Sequence, residues 1–387
     1  MKRLCLILSV CLIAMMGYAQ DNNDELLKKL VEKEILTQQE ADEIKKESTS
    51  KPQQSDPVDK IDQAAAKVRG IFNNTPYLQI GGYGLFMYNY SNVNRVKHDV
   101  QARVVYVSAK GDLGNNIRYS FLTELVNPMI YEFWGEWSPL KELSFRLGQF
   151  KAPYSLENQI SLTDLETIYN TRSISSLIGM SDDVQRYQNG KNNSGRDAGF
   201  MVSGSLFTLK GHDFIQYAAG VFQGTGLNTS DKDNSKDFSA SLMLQPLKGF
   251  RIGGSVYYGD ATYIMPGSSE LTNHTRNRWI LSADYKSDRL YARAEWLHGK
   301  DSKIDREGLY GTVKYYVCPQ KISLVGKVDY YNSDKDINSE VMDYTAGADY
   351  YFYKNCRFTV NYRYSDYSKK WDQKNSHSVI GQLQFVF

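Results

Sequence analysis

The sequence of 387 residues predicts an all-β fold, a transmembrane antiparallel β-barrel of about sixteen strands preceded by a short helical segment. Three observations lead to this prediction. Apolar and polar residues alternate along long segments from residue 77 onward. Tight and long connections between these segments alternate along the chain, and aromatic residues occur near the segment ends. Aromatic residues make up 13% of the chain, and such rings suit the two interfaces of a membrane.

Residues 1–19 are predicted to be a secretory signal peptide. A short basic start is followed by an apolar run from 4 to 16, which is too short to span a bilayer. Gly17 and Ala19 then place small residues ahead of the expected cleavage before Gln20. The mature chain is therefore expected to be exported.

Residues 20–76 are predicted to form a periplasmic helical segment and a linker. Leu26, Leu30 and Val31 recur at helical spacing, and Thr37–Glu40 forms a capping box that opens a second short helix. A polar, proline-containing linker and one more short helix follow. Two interpretations stay open, a helical hairpin on a tether and a short coiled coil that fixes the oligomeric state.

The period changes to two in the predicted barrel, residues 77–387. Between residues 278 and 285, Trp279 and Leu281 point to one side of the chain, while Arg278 and Asp284 point to the other. A soluble β-sandwich shares this pattern. The segments, however, are about 10 to 13 residues long, which exceeds the usual soluble strand and suits a tilted membrane strand.

Sixteen strands are predicted, although fourteen and eighteen remain open. Tight connections such as Ser287–Asp288 alternate with long ones such as Ser91–Lys97 and Ala261–Thr275, as in bacterial outer-membrane barrels. The last segment alternates up to a terminal aromatic residue, Phe387, which is typical of a closing strand. The strands are predicted to begin near residues 77, 98, 116, 129, 142, 197, 213, 237, 249, 276, 288, 308, 320, 341, 356 and 377.

Charge and residue spacing exclude several classes of function. Without Lys2 and Arg3, 44 of the 46 basic residues remain, and they balance 44 acidic ones, so nothing indicates a nucleic-acid partner. The five histidines are scattered without the spacing of metal ligands. Gly224 and Gly226 precede a loop and do not open a helix as a phosphate-binding glycine motif does. We expect no enzyme, no cofactor and no metal.

The longest connection, residues 151–195, is predicted to fold inward, because sixteen strands enclose an aqueous lumen that something must narrow. Thr163–Glu166 is predicted to begin a short helix there. Apolar residues are expected to anchor the loop to the wall, namely Leu162, Leu165, Ile168, Leu177 and Ile178. Its charged residues are candidates to line the constriction: Arg172, Asp182, Asp183, Arg186 and Lys191.

The apolar face of the wall is predicted to meet lipid, because a cation facing lipid at mid-depth costs about 2–4 kcal/mol. The opposite face then carries the candidate pore-lining residues Arg103, Arg118, Arg146, Arg251, Arg278 and Arg293, together with Arg276, Arg289, Lys314, Lys327, Arg357 and Arg363. Eight acidic residues share that face: Glu124, Glu132, Glu136, Asp284, Glu295, Asp329, Asp343 and Asp349. Twelve cations against eight anions predict a modest preference for anions.

Three segments resemble the phosphate-selective porin O and P family. Leu26–Ala41 is similar to the leader helix of that family, Leu147–Glu157 to the start of its constriction loop, and Gly195–Gly199 to the end of that loop. The resemblance implies a sixteen-stranded, trimeric channel that admits small anions. One departure is that no ladder of arginines aligns one by one with the selectivity residues of the family.

These observations together predict a porin in the outer membrane of a Gram-negative bacterium. It would give passive diffusion of small hydrophilic solutes and favour anions such as phosphate. Its expected partners are the lipid bilayer, those solutes and two further copies in a homotrimer, with no nucleic acid. Two alternatives stay open, a barrel that serves mainly as an adhesin or structural anchor, and a non-selective general porin.

Overall fold

The computed structural model describes residues 75–178, 182–264, 268–371 and 373–387, together with Val31 and residues 37–39. The chain divides into two compact units, Met1–Arg69 and Gly70–Phe387. In the first unit Val31, Gln38 and Gln39 are helical. The predicted signal peptide and the rest of the predicted helical segment lie outside the described residues.

Sixteen antiparallel strands form one closed barrel, in which each strand pairs with its sequence neighbours and β1 pairs with β16. The predicted fold class is confirmed. The strands are β1 (Gln79–Ser91), β2 (His98–Asp112), β3 (Ile117–Glu124), β4 (Met129–Leu140), β5 (Leu143–Lys151), β6 (Arg196–Leu209), β7 (His212–Phe222), β8 (Asp237–Leu247), β9 (Phe250–Ile264), β10 (Leu271–Lys286), β11 (Leu290–Asp301), β12 (Ile304–Cys318), β13 (Ile322–Asn332), β14 (Glu340–Tyr353), β15 (Cys356–Tyr367) and β16 (Ser376–Val386).

Three short helices lie between β5 and β6 in the described part of the chain: α1 (Leu156–Gln159), α2 (Arg172–Leu177) and α3 (Asp183–Asn189). No helix among the described residues is long and apolar enough to cross a membrane. The helix predicted to begin at Thr163–Glu166 is wrong. The carbonyl of Leu165 accepts a hydrogen bond from Arg357 at 2.7 Å, so a wall side chain replaces the N–H that a helical turn would supply.

Burial alternates along the strands in the sense that a membrane wall requires. On β13, Leu324 and Val328 are 51% and 48% exposed, whereas their neighbours Ser323 and Asp329 are buried. A soluble barrel would place the apolar set inside. The apolar set therefore forms the outer surface of this barrel, and the polar set surrounds the interior.

The predicted strand boundaries fail where strands extend beyond the alternating pattern. The predicted long connection Ala261–Thr275 is wrong, because β9 continues to Ile264 and β10 begins at Leu271, which pairs with it. Where a strand extends beyond the bilayer, no lipid requires one of its faces to be apolar. The alternation of apolar and polar residues therefore ends before the hydrogen bonds between the strands do. For the same reason β12 begins at Ile304, four residues before the predicted start at 308.

Candidate constriction of the lumen

The lumen loop, described for residues 152–178 and 182–195, leaves the wall at β5 and returns at β6, yet it contacts strands far from both. Glu295 of β11, Asn361 of β15 and Arg103 of β2 all hydrogen bond to its backbone. These strands are spread around the barrel, and their contacts come from the polar, inner face of the wall. The loop therefore crosses the interior of the barrel.

Carboxylates of the wall cap the short helices of the loop. Glu295 accepts hydrogen bonds from the backbone N–H groups of Leu156 and Glu157 at 2.8 and 3.2 Å, at the start of α1. Asp329 accepts from the N–H of Arg172 at 2.6 Å, at the start of α2. The first N–H groups of a helix have no partner within it, so the wall supplies the acceptors.

Cations of the wall bind the carbonyl groups of the same loop. Arg103 donates to the carbonyl of Ile168 at 2.7 Å, and Lys327 donates to that of Tyr169 at 2.9 Å. Charge-assisted hydrogen bonds of this kind are stronger than neutral ones. Wall charges of both signs thus fix the path of the loop, and those that do so are not available to a solute.

Apolar packing and buried ion pairs complete the docking. Leu177 is fully buried in a cluster with wall residues that include Ile280 and Leu297. Arg293 pairs with Glu166 at 2.6 Å, and both side chains are almost completely buried. Removal of one partner of such a pair costs about 3–5 kcal/mol, because the other charge stays buried and unpaired.

Glu157 connects α1 to the start of α2. Its carboxylate accepts two hydrogen bonds from Thr171, from the backbone N–H at 2.5 Å and from the hydroxyl at 2.7 Å. Burial alone would raise the pKa of Glu157, but the cations of Lys327 and Arg293 and the Thr171 hydrogen bonds outweigh it and lower the pKa. Glu157 therefore holds the two helices together as an anion.

The eleven residues predicted to line the constriction have different environments in the structure, and three of them are buried. The side chains of Arg278, Arg293 and Asp182 are at most 1% exposed. Asp182 pairs with Arg276, which is buried too, and Arg278 pairs with Asp301 at 2.7 Å. The prediction that these three line a water-filled path is wrong, because buried ion pairs and the lumen loop cover them.

The other predicted loop residues have varied positions. Arg172 pairs with Asp343 of β14 at 2.8 Å, and its side chain is 21% exposed. Lys191 is half-buried and donates to the carbonyls of Leu227 and Asn228 at 2.9 Å. Arg186 is exposed on α3, and the side chain of Asp183 lies outside what the structure describes.

Three predicted wall arginines keep part of their surface in contact with solvent. The side chains of Arg118, Arg146 and Arg251 are 54%, 25% and 33% exposed. They lie on β3, β5 and β9, away from the strands that cap the loop helices. These three wall arginines thus lie on one side of the interior.

A cavity of about 320 Å³ lies on that side, between the lumen loop and the wall. Arg146, Lys151 and Arg196 line it together with one carboxylate, Glu132, and with aromatic residues such as Tyr106. The loop residues around 160 form its other boundary. This cavity is the candidate constriction.

Cations outnumber carboxylates at the constriction. Arg196 pairs with Glu132 at 2.7 Å. Glu136 is shared by two arginines, Arg118 at 2.6 Å and Arg146 at 2.5 Å. Glu132 and Glu136 each have an arginine partner. Because Glu136 has two, Arg118 and Arg146, one positive charge of that group is not balanced by a carboxylate.

Lys151 adds a second unbalanced charge. Its Nζ donates to the carbonyl of Ile160 at 2.9 Å, and among the described residues no carboxylate forms an ion pair with it. Three cations, Arg146, Lys151 and Arg196, line the cavity with one carboxylate, Glu132, so the charges of its lining sum to +2. An ammonium that lies beside a neutral carbonyl and a cavity can accept an anion from solution.

Lys151 and Arg196 were missed by the sequence argument. They are opposite each other at the end of the β5–β6 ladder, where the argument placed the ends of a loop. Alternation of apolar and polar residues assigns a residue to the lipid face or the lumen face only when it has neighbours on both sides within the strand. The first and last residues of a strand are therefore not assigned to either face. The available signal was a cation at each end of the longest loop.

A wider space adjoins the constriction at the end of the barrel that carries the tight turns. Its volume is about 1150 Å³, and its boundary includes turn residues such as Asp288 and Asn355. It shares Gln159, Ile160 and Ser161 with the constriction cavity. We call this space the vestibule, and its shared boundary makes it continuous with the constriction.

Comparison with known proteins relates the chain to porins. Residues 80–387 match the model of a family described as phosphate-selective porin O and P. Among solved structures, the chain is similar to an anion-selective porin from Comamonas acidovorans, with 11% identity over 80% of this chain and 99% of that chain and a TM-score of 0.59.

Two further structures have the same fold. OprB from Pseudomonas putida has 11% identity over 84% of this chain and 97% of that chain, with a TM-score of 0.61. OmpT from Vibrio cholerae, in a trimer form, has 9% identity over 80% of this chain and 100% of that chain, with a TM-score of 0.58. At such identities the likeness shows the fold alone. A comparison with curated protein sequences gave no match.

Proposed function

The chain belongs to the phosphate-selective porin O and P family and is an outer-membrane channel, and we propose that it passes small hydrophilic solutes with a preference for anions such as phosphate. One observation carries the preference: the charged residues that line the constriction sum to +2, and among the described residues Lys151 has a backbone carbonyl and no carboxylate as its partner. The selectivity of a channel is set by charge at its narrowest section.

The chemistry of the constriction suits phosphate and carboxylate groups. Guanidinium groups present planar donors that match the oxygens of such anions, and an ammonium supplies a compact charge. Because Arg146 and Arg196 are held by Glu136 and Glu132, they stay in fixed positions while Lys151 meets the solute. A passing anion would thus replace none of the existing ion pairs.

The remaining parts of the proposal concern the setting of the channel. Residues 1–19 would direct export and be removed, and the outer apolar surface of the barrel would contact membrane lipid. One structural relative is described in a trimer form, and we extend a homotrimer to this chain. The transport is passive and involves no catalysis, cofactor or nucleic acid.

Ion currents through purified protein in a planar lipid bilayer test this function. In a gradient of potassium chloride, the zero-current potential should lie on the chloride side, and added phosphate should reduce the chloride current. The variant Lys151→Gln should lose most of the preference. Lys286→Gln is the matched control, since Lys286 lines the wide vestibule and not the constriction.

Each outcome separates one alternative. An absence of stepwise current would leave an adhesin or anchor. Equal permeability to both ions would indicate a general porin. A chloride preference that Lys151→Gln leaves unchanged would contradict the role of the constriction cluster.

A further inference from the structure

A second cavity lies beside the constriction on the same side of the interior. Its volume is about 340 Å³, within the range of about 300–1,000 Å³ that small-molecule sites commonly have. It shares four lining residues with the constriction cavity, namely Arg146, Lys151, Gln159 and Ile160. The cations of the constriction therefore stand between the two spaces.

We call this second cavity the methionine pocket, after Met201 and Met243 in its lining, and no carboxylate of the described residues lines its far wall. Met201 and Met243 supply thioether surface, Ala218 and Pro153 supply small apolar surface, and serine hydroxyls such as that of Ser241 lie among them. No carboxylate is among its lining residues in the described part of the chain, and Arg251 is its third cation besides Arg146 and Lys151.

Contact with such an apolar surface does not improve the binding of an inorganic anion. The anion would remain at the cations with its hydration shell, and contact with methionine side chains would bring no gain. An anion that carries an uncharged body differs, because its body can leave water against the apolar wall while its charged group stays at Lys151. Methionine, unbranched and polarisable, adapts to bodies of different shape.

We propose that the methionine pocket is a subsite for organic anions, in which a phosphate or carboxylate group binds at Lys151 and Arg146 and an uncharged body lies against Met201 and Met243. This inference rests on the proposed anion preference and narrows it to a class of solute. The pocket continues to the vestibule, with which it shares Leu156, Gln216 and Arg251, so a bound solute has a way out.

The size of the effect follows from apolar burial. Each methylene group that leaves water improves binding about fourfold. A series of alkyl phosphates of increasing chain length should therefore reduce the chloride current at falling concentrations, until the body fills the pocket. Inorganic phosphate sets the reference for the charged group alone.

The experiment measures block of the chloride current in planar bilayers by inorganic phosphate, methyl phosphate, butyl phosphate and hexyl phosphate. Half-blocking concentrations should fall at least tenfold from methyl to hexyl phosphate in the native channel. Met243→Ser should flatten this dependence and leave block by inorganic phosphate unchanged. Met342→Ser is the matched control, because Met342 does not line the pocket.

Two results would overturn the inference. Equal half-blocking concentrations along the series, with the chloride preference and phosphate block intact, would refute the subsite and leave the proposed function standing. If no phosphate blocks and the channel has no anion preference, the proposed function fails together with the subsite. The series on the native channel decides this even if a variant does not fold.

Discussion

The substitution Glu295→Gln tests how wall charges hold the lumen loop. The carboxylate of Glu295 is buried and accepts three hydrogen bonds from the loop, from the Ser155 hydroxyl at 2.8 Å and from the N–H groups of Leu156 and Glu157 at 2.8 and 3.2 Å. Glutamine has nearly the same shape. It replaces one acceptor oxygen with a donor and removes the charge from all three contacts.

The expected loss follows from these three contacts. A hydrogen bond to a charged group contributes about 1 kcal/mol more than a neutral one. Removing the charge from three contacts therefore costs the docked loop about 3 kcal/mol, which corresponds to roughly a hundredfold rise in the undocked fraction. The cost extends to α2, because Glu157 binds Thr171 immediately before that helix.

Limited trypsin digestion measures the undocked fraction. The bond after Arg172 is protected in the docked loop, since the backbone N–H of Arg172 binds Asp329 and its guanidinium binds Asp343. When opening is fast relative to cleavage, the cleavage rate follows the opening equilibrium. Cleavage after Arg172 should therefore accelerate about a hundredfold in Glu295→Gln, a factor derived from the energy above.

The matched control is Asp284→Asn, which also neutralises a buried wall carboxylate. Asp284 lies on β10 and pairs with Arg251, a wall residue, so the loop should stay docked. An unchanged cleavage rate after Arg172 in Glu295→Gln would refute the docking argument. Equal acceleration in both variants would attribute the effect to the barrel as a whole.

Three further predictions concern the wall and the loop. Gly148→Ala should lower the free energy of unfolding by about 1–3 kcal/mol in urea titrations in lipid vesicles. Gly148 has φ of +135°, and a Cβ at this position would collide with the carbonyl of Phe133. The control Gly135→Ala, with open space around its Cβ, should not lower it, and equal losses in the two variants would contradict this reasoning. Val328→Arg, at an outward position, should cost about 2–4 kcal/mol more than Val328→Ala in the same titration, and tolerance of the arginine would mean that lipid does not meet this face. Because the pKa of Glu157 in the folded protein lies below its ordinary value of 4.5, the stabilising effect of its carboxylate is present above pH 4.5 and is lost as the pH falls through the folded pKa. Current noise from loop movement should therefore be the same at pH 7 and pH 5 and rise only below pH 4.5. A rise already at pH 5 would contradict the assignment.

The wall was predictable because its pattern is local. Lipid on one side and polar surroundings on the other impose alternation on each strand, so the parity of Leu324 and Asp329 can be read from neighbouring residues. The same reasoning shows why the ends of β9 and β10 were missed. Beyond the bilayer the ladder continues through Thr272 and Asn273, where no alternation marks it.

The constriction was less predictable because it depends on contacts between distant parts of the chain. Alternation places Arg146 and Arg293 alike on the inner face. Whether each meets water depends on the path of the lumen loop, and Glu166, which covers Arg293, is 127 residues away in sequence. No local pattern distinguishes the two arginines, so only the folded loop shows which cations remain for a solute.

The central claim is that the water-filled path passes Lys151 on the β5 side of the interior, and cysteine accessibility tests it most directly. The two free cysteines of the barrel, Cys318 and Cys356, are first changed to serine. Lys151→Cys or Thr312→Cys is then treated with an anionic methanethiosulfonate during current recording. Thr312 also faces the interior but is buried. We expect the anionic reagent to lower the current of Lys151→Cys and to shift its selectivity toward cations, and to leave Thr312→Cys unchanged. Reaction at Thr312→Cys with none at Lys151→Cys would contradict the account.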